Sequence, residues 1–295
     1  MERFKNIAFI SFIMGRKFTK GLMLARLGLV GYMAFKLFSG MGSYDANLLT
    51  SEQVNQRLNN RLAITETERR ERRKYAIVIN GDTSKLHQGN VTEAYESLRE
   101  LGFKDENIFL LTSNYPREDD SKSVTAKATE ANLRRVFDYL DDAVDNNDLI
   151  LVYTTGHGGT KEGQSTLALA DEEISASDLR DLIGSAKAGD YVLVADQCYS
   201  GGIAKSVSEL AGRVASFSST DSEHSTYCES FARPFWKSFR NGEADVNGDG
   251  TTSLDEAFGY AARNHRENIG LLHKILGTNR DCQEYRTEES PNQLK

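Results

Sequence analysis

The chain turns on two stretches, DLILVYTTGHGG at 148–159 and YVLVADQCYSGG at 191–202. Each opens on a short run of apolar, β-branched residues and closes in glycines. Continuous runs of this kind read as strands buried on both faces, the pattern of a parallel sheet. The first, Asp148–Thr154, is followed by Thr155-Gly156-His157-Gly158-Gly159. The second, Tyr191–Ala195, is followed by Asp196-Gln197-Cys198. In open parallel sheets the reactive groups gather beyond the carboxyl ends of the strands. If these two strands are parallel neighbours, His157 and Cys198 leave the sheet at one edge.

The same alternation extends to both sides. Tyr75–Asn80, Asn107–Leu111, Thr166–Ala170 and Val214–Ser218 read as further strands. Val91–Leu101, Ala128–Val144 and Ser175–Ile183 read as helices, the last capped by Ser175 or Ser177. Strand–helix alternation predicts an α/β fold with a mostly parallel central sheet flanked by helices. Trp236 stands at helical spacing from Phe239 and reads as core.

The 295 residues fall into four regions. Residues 1–44 form a leader with two short apolar runs, Asn6–Gly15 and Leu27–Phe35, and basic residues between them. This pattern reads as a signal or membrane anchor. It implies a secreted or membrane-anchored extracytoplasmic setting and membrane association through the leader, with a cytoplasmic setting as the alternative. Residues 45–74 form a polar helical linker ending in ETERRERRK. Residues 75–265 form the folded domain, and 266–295 a tail whose end, Glu284–Lys295, reads as disordered. The net charge is −7, yet residues 1–40 hold seven Lys/Arg against one acid, so the body carries about −13. An acidic body argues against nucleic acid as the main partner.

Three cysteines, Cys198, Cys228 and Cys282, make neither a disulfide framework nor a metal cluster. A Cys228–Cys282 bridge would leave Cys198 free. A thiol becomes a nucleophile when a base or cation stands near it, and histidine suits that role. His157 and Cys198 therefore form a candidate dyad. The glycines around them let the backbone approach a substrate carbonyl, so the N–H groups of Gly158 and Cys198 are candidates for an oxyanion hole. Taken singly, a cysteine after an apolar strand is more often core; the pairing of two such strand ends favours chemistry.

The pattern T-G-H-G followed by D-x-C-x-S-G resembles the caspase–legumain–metacaspase superfamily of cysteine peptidases, and most of all the legumain family. Leu86-His87-Gln88-Gly89-Asn90 with Ala94-Tyr95 is similar to that family's R-H-Q-A-D…A-Y segment, and Gly102–Leu111 to its G-I-P-D-E-x-I-V segment. Ser225-Thr226-Tyr227-Cys228 is similar to its S-S-Y-A-C stretch. The resemblance spans Tyr75 to Phe239. It implies a caspase/legumain-like fold and a cysteine endopeptidase acting on peptides or proteins. It also points to Asp196, His87 and Ser225 as substrate-binding residues. Two departures bear on specificity: Asp196-Gln197 replaces the family's E-A, and Leu86 stands where the family has its substrate-binding arginine. An acid without that arginine favours Arg or Lys over Asn or Asp before the cut. The D-x-C triplet also resembles metacaspases, which share the basic preference. Because the legumain family includes a transamidase, an amine could replace water. Two rival readings are a non-catalytic calcium-binding module and a zymogen cut in the arginine-rich linker.

Asp245–Glu256 (DVNGDGTTSLDE) fits the calcium-loop pattern D-x-[DN]-x-[DN]-G-x5-E in full. Asp245, Asn247, Asp249, Thr251 through its carbonyl, Ser253 and Glu256 are the expected ligands of a structural Ca2+. His87 reads either as a pocket residue or as part of a surface turn, and His224, His265 and His273 read as incidental. Asn90-Val91-Thr92 fits an N-glycosylation sequon.

Overall fold

A computed structural model describes residues 71–113, 124–226, 230–268 and 282–294. The leader, nearly all of the linker, Cys228 and His273 lie outside the described residues.

Seven strands form the central sheet: β1 (Lys74–Asn80), β2 (Ile108–Thr112), β3 (Val124–Lys127), β4 (Leu149–Thr155), β8 (Asp190–Asp196), β9 (Arg213–Ser218) and β10 (Gln283–Arg286). Their order is β10-β9-β8-β4-β1-β2-β3. Every pairing is parallel except that of β10 with β9. A smaller antiparallel sheet of β5 (Gly158–Lys161), β6 (Gln164–Ala168) and β7 (Glu173–Ser175) follows β4 directly. The helices are α1 (Lys85–Glu100), α2 (Glu130–Ala143), α3 (Ala176–Ser185), α4 (Ser200–Val207), α5 (Ala232–Asn241) and α6 (Leu254–Asn268). The mixed α/β architecture with a mostly parallel sheet is thus the one its apolar runs imply.

The central strands are apolar throughout because both faces are covered. All seven residues of β4 and of β8 are buried. Successive side chains point to opposite faces, so Tyr75, Ile77 and Ile79 join a core with Leu133, Phe137 and Leu140 of α2 and Leu179 and Ile183 of α3. Ala76 and Val78 join another with Val91 and Leu98 of α1 and Phe235 and Trp236 of α5. Trp236 is fully buried, its ring 5.2 Å from that of Tyr153, so the expected core role holds. Removing such a ring costs about 3–5 kcal/mol.

Helix starts follow local chemistry. The Thr129 hydroxyl accepts from Asn132 N at 3.2 Å at the head of α2, and the Ser175 hydroxyl accepts from Asp178 N at 3.1 Å at the head of α3. Helix α1 begins at Lys85 rather than at Val91. Its first turns bury polar residues, His87 and Asn90, which hides them from a reading that looks for apolar spacing. Buried Asn90 also removes the sequon from the surface.

Two boundaries are corrected. Glu284–Lys295 is not a free end: β10 pairs with β9, and Leu294 is buried in the core shared by α1 and α5. The end of the linker belongs to the domain. Arg73 pairs with buried Asp148, and Lys74 Nζ donates to the carbonyls of Leu101 and Leu294 at 2.6 and 2.9 Å.

Candidate active site

Strands β4 and β8 are neighbours in register, with Thr155 opposite Asp196. His157 and Cys198 each lie two residues beyond that pair, so the sheet itself brings both to the same edge. Gly158 is the closest join. A Cβ there would stand 2.0 Å from the Cys198 carbonyl oxygen and 2.8 Å from Gln197 Cγ, so only glycine fits. Tyr199 follows Cys198 with a left-handed backbone, φ +60°, and heads α4. Its N–H donates to the His224 carbonyl at 2.9 Å. His224, expected to be incidental, therefore steadies the residue after Cys198, and its Nδ1 pairs with Asp221 at 2.8 Å.

Cys198 is partly buried, and its Sγ lies 3.6 Å from the Thr226 carbonyl. Burial pushes the thiol pKa up, while hydrogen bonding with the Thr226 backbone and the Ser225 side chain draws it partly back. The resting group is a thiol. Ser225 therefore stands against the sulfur.

His157 is more than half exposed at its side chain, yet Nε2 donates to Asp82 Oδ2 at 2.7 Å. That bond raises the imidazole pKa, and burial opposes it. Asp82 is held well below the ordinary carboxylate range by the His157 and Ser84 hydrogen bonds, against the pull of burial, which alone would raise it. Asp82 has no signature in the sequence. It belongs to the loop after β1, whose carboxyl end lies beside that of β4, and this placement is the one available signal.

His87 is 2% exposed, which excludes the surface-turn reading. Its Nδ1 lies 2.7 Å from the Thr155 hydroxyl, and its ring meets that of His157 edge-on at 6.1 Å. Burial lowers its pKa to about 4, so it is neutral at physiological pH. Asp196 is fully buried at the end of β8. Asn90 Nδ2 reaches its Oδ2 at 3.5 Å, while Oδ1 has no hydrogen-bond partner among the described residues. Burial pushes this carboxyl up to about 7, and the Ser219 hydroxyl draws it back.

The calcium-loop pattern lies between α5 and α6, a helix–loop–helix. Gly248 and Gly250 take φ +73° and +82°. Asp245 Oδ1 accepts from Gly248 N at 2.9 Å and Oδ2 from Gly250 N at 2.9 Å. Asn247 and Asp249 accept from Asp249 N and Thr251 N at 2.8 Å each. Glu256 reaches back to Val246 N and Ser253 N at 3.0 and 2.9 Å. Among the described residues no cluster of three His, Cys, Asp or Glu side chains is poised to hold a metal ion; the expected donor set also draws on Asn247, Ser253 and a carbonyl. Cys282 Sγ lies 3.7 Å from the Ser219 carbonyl, and a bridge to Cys228 falls on a residue outside the described ones. His265, fully buried, lies 2.6 Å from the Ser230 hydroxyl.

A mostly parallel seven-stranded sheet flanked by helices is consistent with a caspase-like fold. Residues 141–245 match the Peptidase C13 family. The chain is also 27% identical over 149 residues to metacaspase-4 of Arabidopsis thaliana, across 46% of this chain and 34% of that protein. It thus spans about a third of the length of that relative. Together these matches support the caspase-like superfamily of cysteine peptidases for this chain. The family match contains both His157 and Cys198.

Proposed function

We propose that this protein is a cysteine endopeptidase in which Cys198 is the nucleophile and His157 the general base and acid. The observation that carries the reading is the register of β4 and β8, which brings both residues to one edge at equal offset, with Gly158 packed on the Cys198 backbone. Cys198 Sγ attacks the scissile carbonyl carbon as its proton passes to His157. The N–H groups of Gly158 and Cys198 hold the oxyanion. His157 then gives the proton to the leaving amine, and water releases the acyl group from sulfur. Because burial keeps Cys198 a thiol at rest, deprotonation accompanies attack.

The substrate reading favours Arg or Lys before the cut, over Asn or Asp. It is supported by buried Asp196 two residues before Cys198, one oxygen of which has no partner among the described residues. A guanidinium or ammonium would satisfy that oxygen and hold the carboxyl ionised. Ser225, against the sulfur, and His87, beneath His157, complete the proposed substrate-facing set. The loop Asp245–Glu256 is proposed to bind a structural Ca2+ through Asp245, Asn247, Asp249, Ser253, Glu256 and the Thr251 carbonyl. Its support is the full pattern, its place between two helices and the left-handed Gly250 at the turn. A secreted or membrane-anchored setting rests on the leader of residues 1–44, and a cytoplasmic one is the alternative.

The test is intact-mass labelling by a peptidyl acyloxymethyl ketone on wild type, Cys198→Ala and His157→Ala, followed by turnover of fluorogenic peptides that differ only before the cut. Labelling is expected to require Cys198, and turnover both residues. A wild type that neither labels nor cleaves would sink the peptidase reading, and faster cleavage after Asn than after Arg would sink the basic preference.

A further inference from the structure

We propose that Asp82 is the positioning residue of His157, fixing its ring and the nitrogen that carries the proton; this rests on the cysteine-peptidase reading above. The contact is built from both sides. Asn80, the last residue of β1, accepts from Asp82 N through Oδ1 at 3.0 Å. Asp82 Oδ1 accepts from Ser84 N, which leaves Oδ2 for His157 Nε2 at 2.7 Å. The loops that carry the two residues interlock through glycines. A Cβ at Gly81 would stand 1.7 Å from the Ala168 carbonyl oxygen, and one at Gly156, φ +132°, would stand 3.3 Å from Asp82 N. Gly81 N donates to the Thr155 carbonyl at 3.2 Å, and the His157 carbonyl accepts from Ala168 N at 2.9 Å. A side chain at Gly81 would push the loop away, and one at Gly156 would be strained by its positive φ.

The chemistry follows from which nitrogen is engaged. With Nε2–H given to the carboxylate, the lone pair of neutral imidazole lies on Nδ1. Nδ1 takes the Cys198 thiol proton during attack and passes it to the leaving amine, while the Nε2 proton stays on the Asp82 side. The net transfer is one proton from sulfur to nitrogen, and Asp82 neither gains nor loses one. The carboxylate also stabilises the imidazolium between those two events. Asp82 is only 10% exposed at its side chain while His157 is 57% exposed, so the ring is gripped from behind and open in front. The titratable groups that bear on His157 among the described residues are Asp82 from the β1 loop and His87 from α1. His87 is neutral and bonded to Thr155, so of these Asp82 alone brings a charge to the ring.

The test compares wild type, Asp82→Asn and Asp82→Glu by kcat, KM and the NMR titration of the His157 imidazole. Asp82→Asn is expected to lower kcat by about 100-fold or more with KM within about threefold, by analogy with neutralising the acid of a catalytic triad. The His157 pKa should fall by about a unit or more, and Asp82→Glu should restore part of both. Unchanged kcat and pKa in a folded Asp82→Asn protein overturn the proposal. So does a fall in kcat with the His157 pKa unmoved, which marks a merely structural role. If Asp82→Asn fails to fold, the wild-type titration decides: a His157 pKa at or below the ordinary 6.5 overturns the proposal. Absence of any Cys198-dependent turnover in wild type refutes the peptidase reading itself, an outcome separable from all of these.

Discussion

Replacing Asp196 with asparagine should remove a loss of stability that this carboxyl imposes as pH rises from about 5 to about 7. The carboxyl is fully buried, and its pKa lies near 7 against an ordinary 3.8. Between those values the folded protein holds a proton that the unfolded chain has released. Stability from this group is therefore full below 3.8, declines as pH rises, and is lost once pH passes about 7. From about pH 5 to about pH 8, wild type should lose on the order of 2–3 kcal/mol relative to Asp196→Asn. His87 acts in the opposite sense over the acid range, but it is common to both proteins and cancels in the difference. The assay is urea unfolding of both proteins across that range at fixed calcium, followed by intrinsic fluorescence. A wild-type-minus-variant difference that stays flat with pH refutes the reasoning, because it would mean that Asp196 is already ionised, or already solvated, in the folded state.

Three further outcomes are expected. Gly158→Ala forces the Cys198 carbonyl or its own loop to move by about 1.4 Å, the gap between 2.0 Å and ordinary contact at 3.4 Å. A misplacement of that size costs roughly 100-fold in kcat, so peptide turnover within about threefold of wild type would count against the packing described. His87→Asn removes a buried neutral imidazole that charges on unfolding below its ordinary 6.5, with a folded pKa of about 4. From neutrality down to about pH 5 wild type should therefore lose about 2 kcal/mol relative to His87→Asn. Thermal unfolding should show the variant without that slope, and parallel curves would refute it. Chelating calcium should lower the melting temperature of wild type by roughly 5–10 °C if the ion sits near 100-fold above its dissociation constant. Glu256→Gln should blunt the response, and an equal shift in that variant would mean that the ion acts elsewhere.

The parts of the fold that the sequence discloses are those whose burial is apolar and continuous. YAIVIN, DLILVYT and YVLVA announce β1, β4 and β8 because each is covered on both faces. Helix α4 escapes such a reading because it opens on Ser200-Gly201-Gly202, residues with poor helix propensity. Strand β10, QEYR, is a polar edge strand held by backbone pairing to β9, and its composition resembles an unstructured end. At the site, His157 and Cys198 are legible because each follows a recognisable strand. Asp82 is not, since its contact with His157 joins two loops that only the pairing of β1 with β4 brings together. The partial burial of the linker's end is hidden for a related reason: Arg73 looks like one more solvated charge until Asp148 is seen to be buried opposite it.

The equal offset of His157 and Cys198 beyond the Thr155–Asp196 pair has a consequence for how this scaffold tolerates change in length. The sheet hydrogen bonds act as a fixed datum from which both residues are measured. The segment between the two motifs, β6, β7 and α3, supplies the crossover but does not enter that measurement. Residues added in its turns, at Glu162–Gly163 or Asp171–Glu172, should leave the datum untouched, and such turns are natural points for grafting a new recognition loop. A single residue added between Thr155 and His157, or between Asp196 and Cys198, advances one partner alone by up to about 3.3 Å of extended chain. The active edge is thus rigid over two residues on each strand and open to remodelling in the turns between.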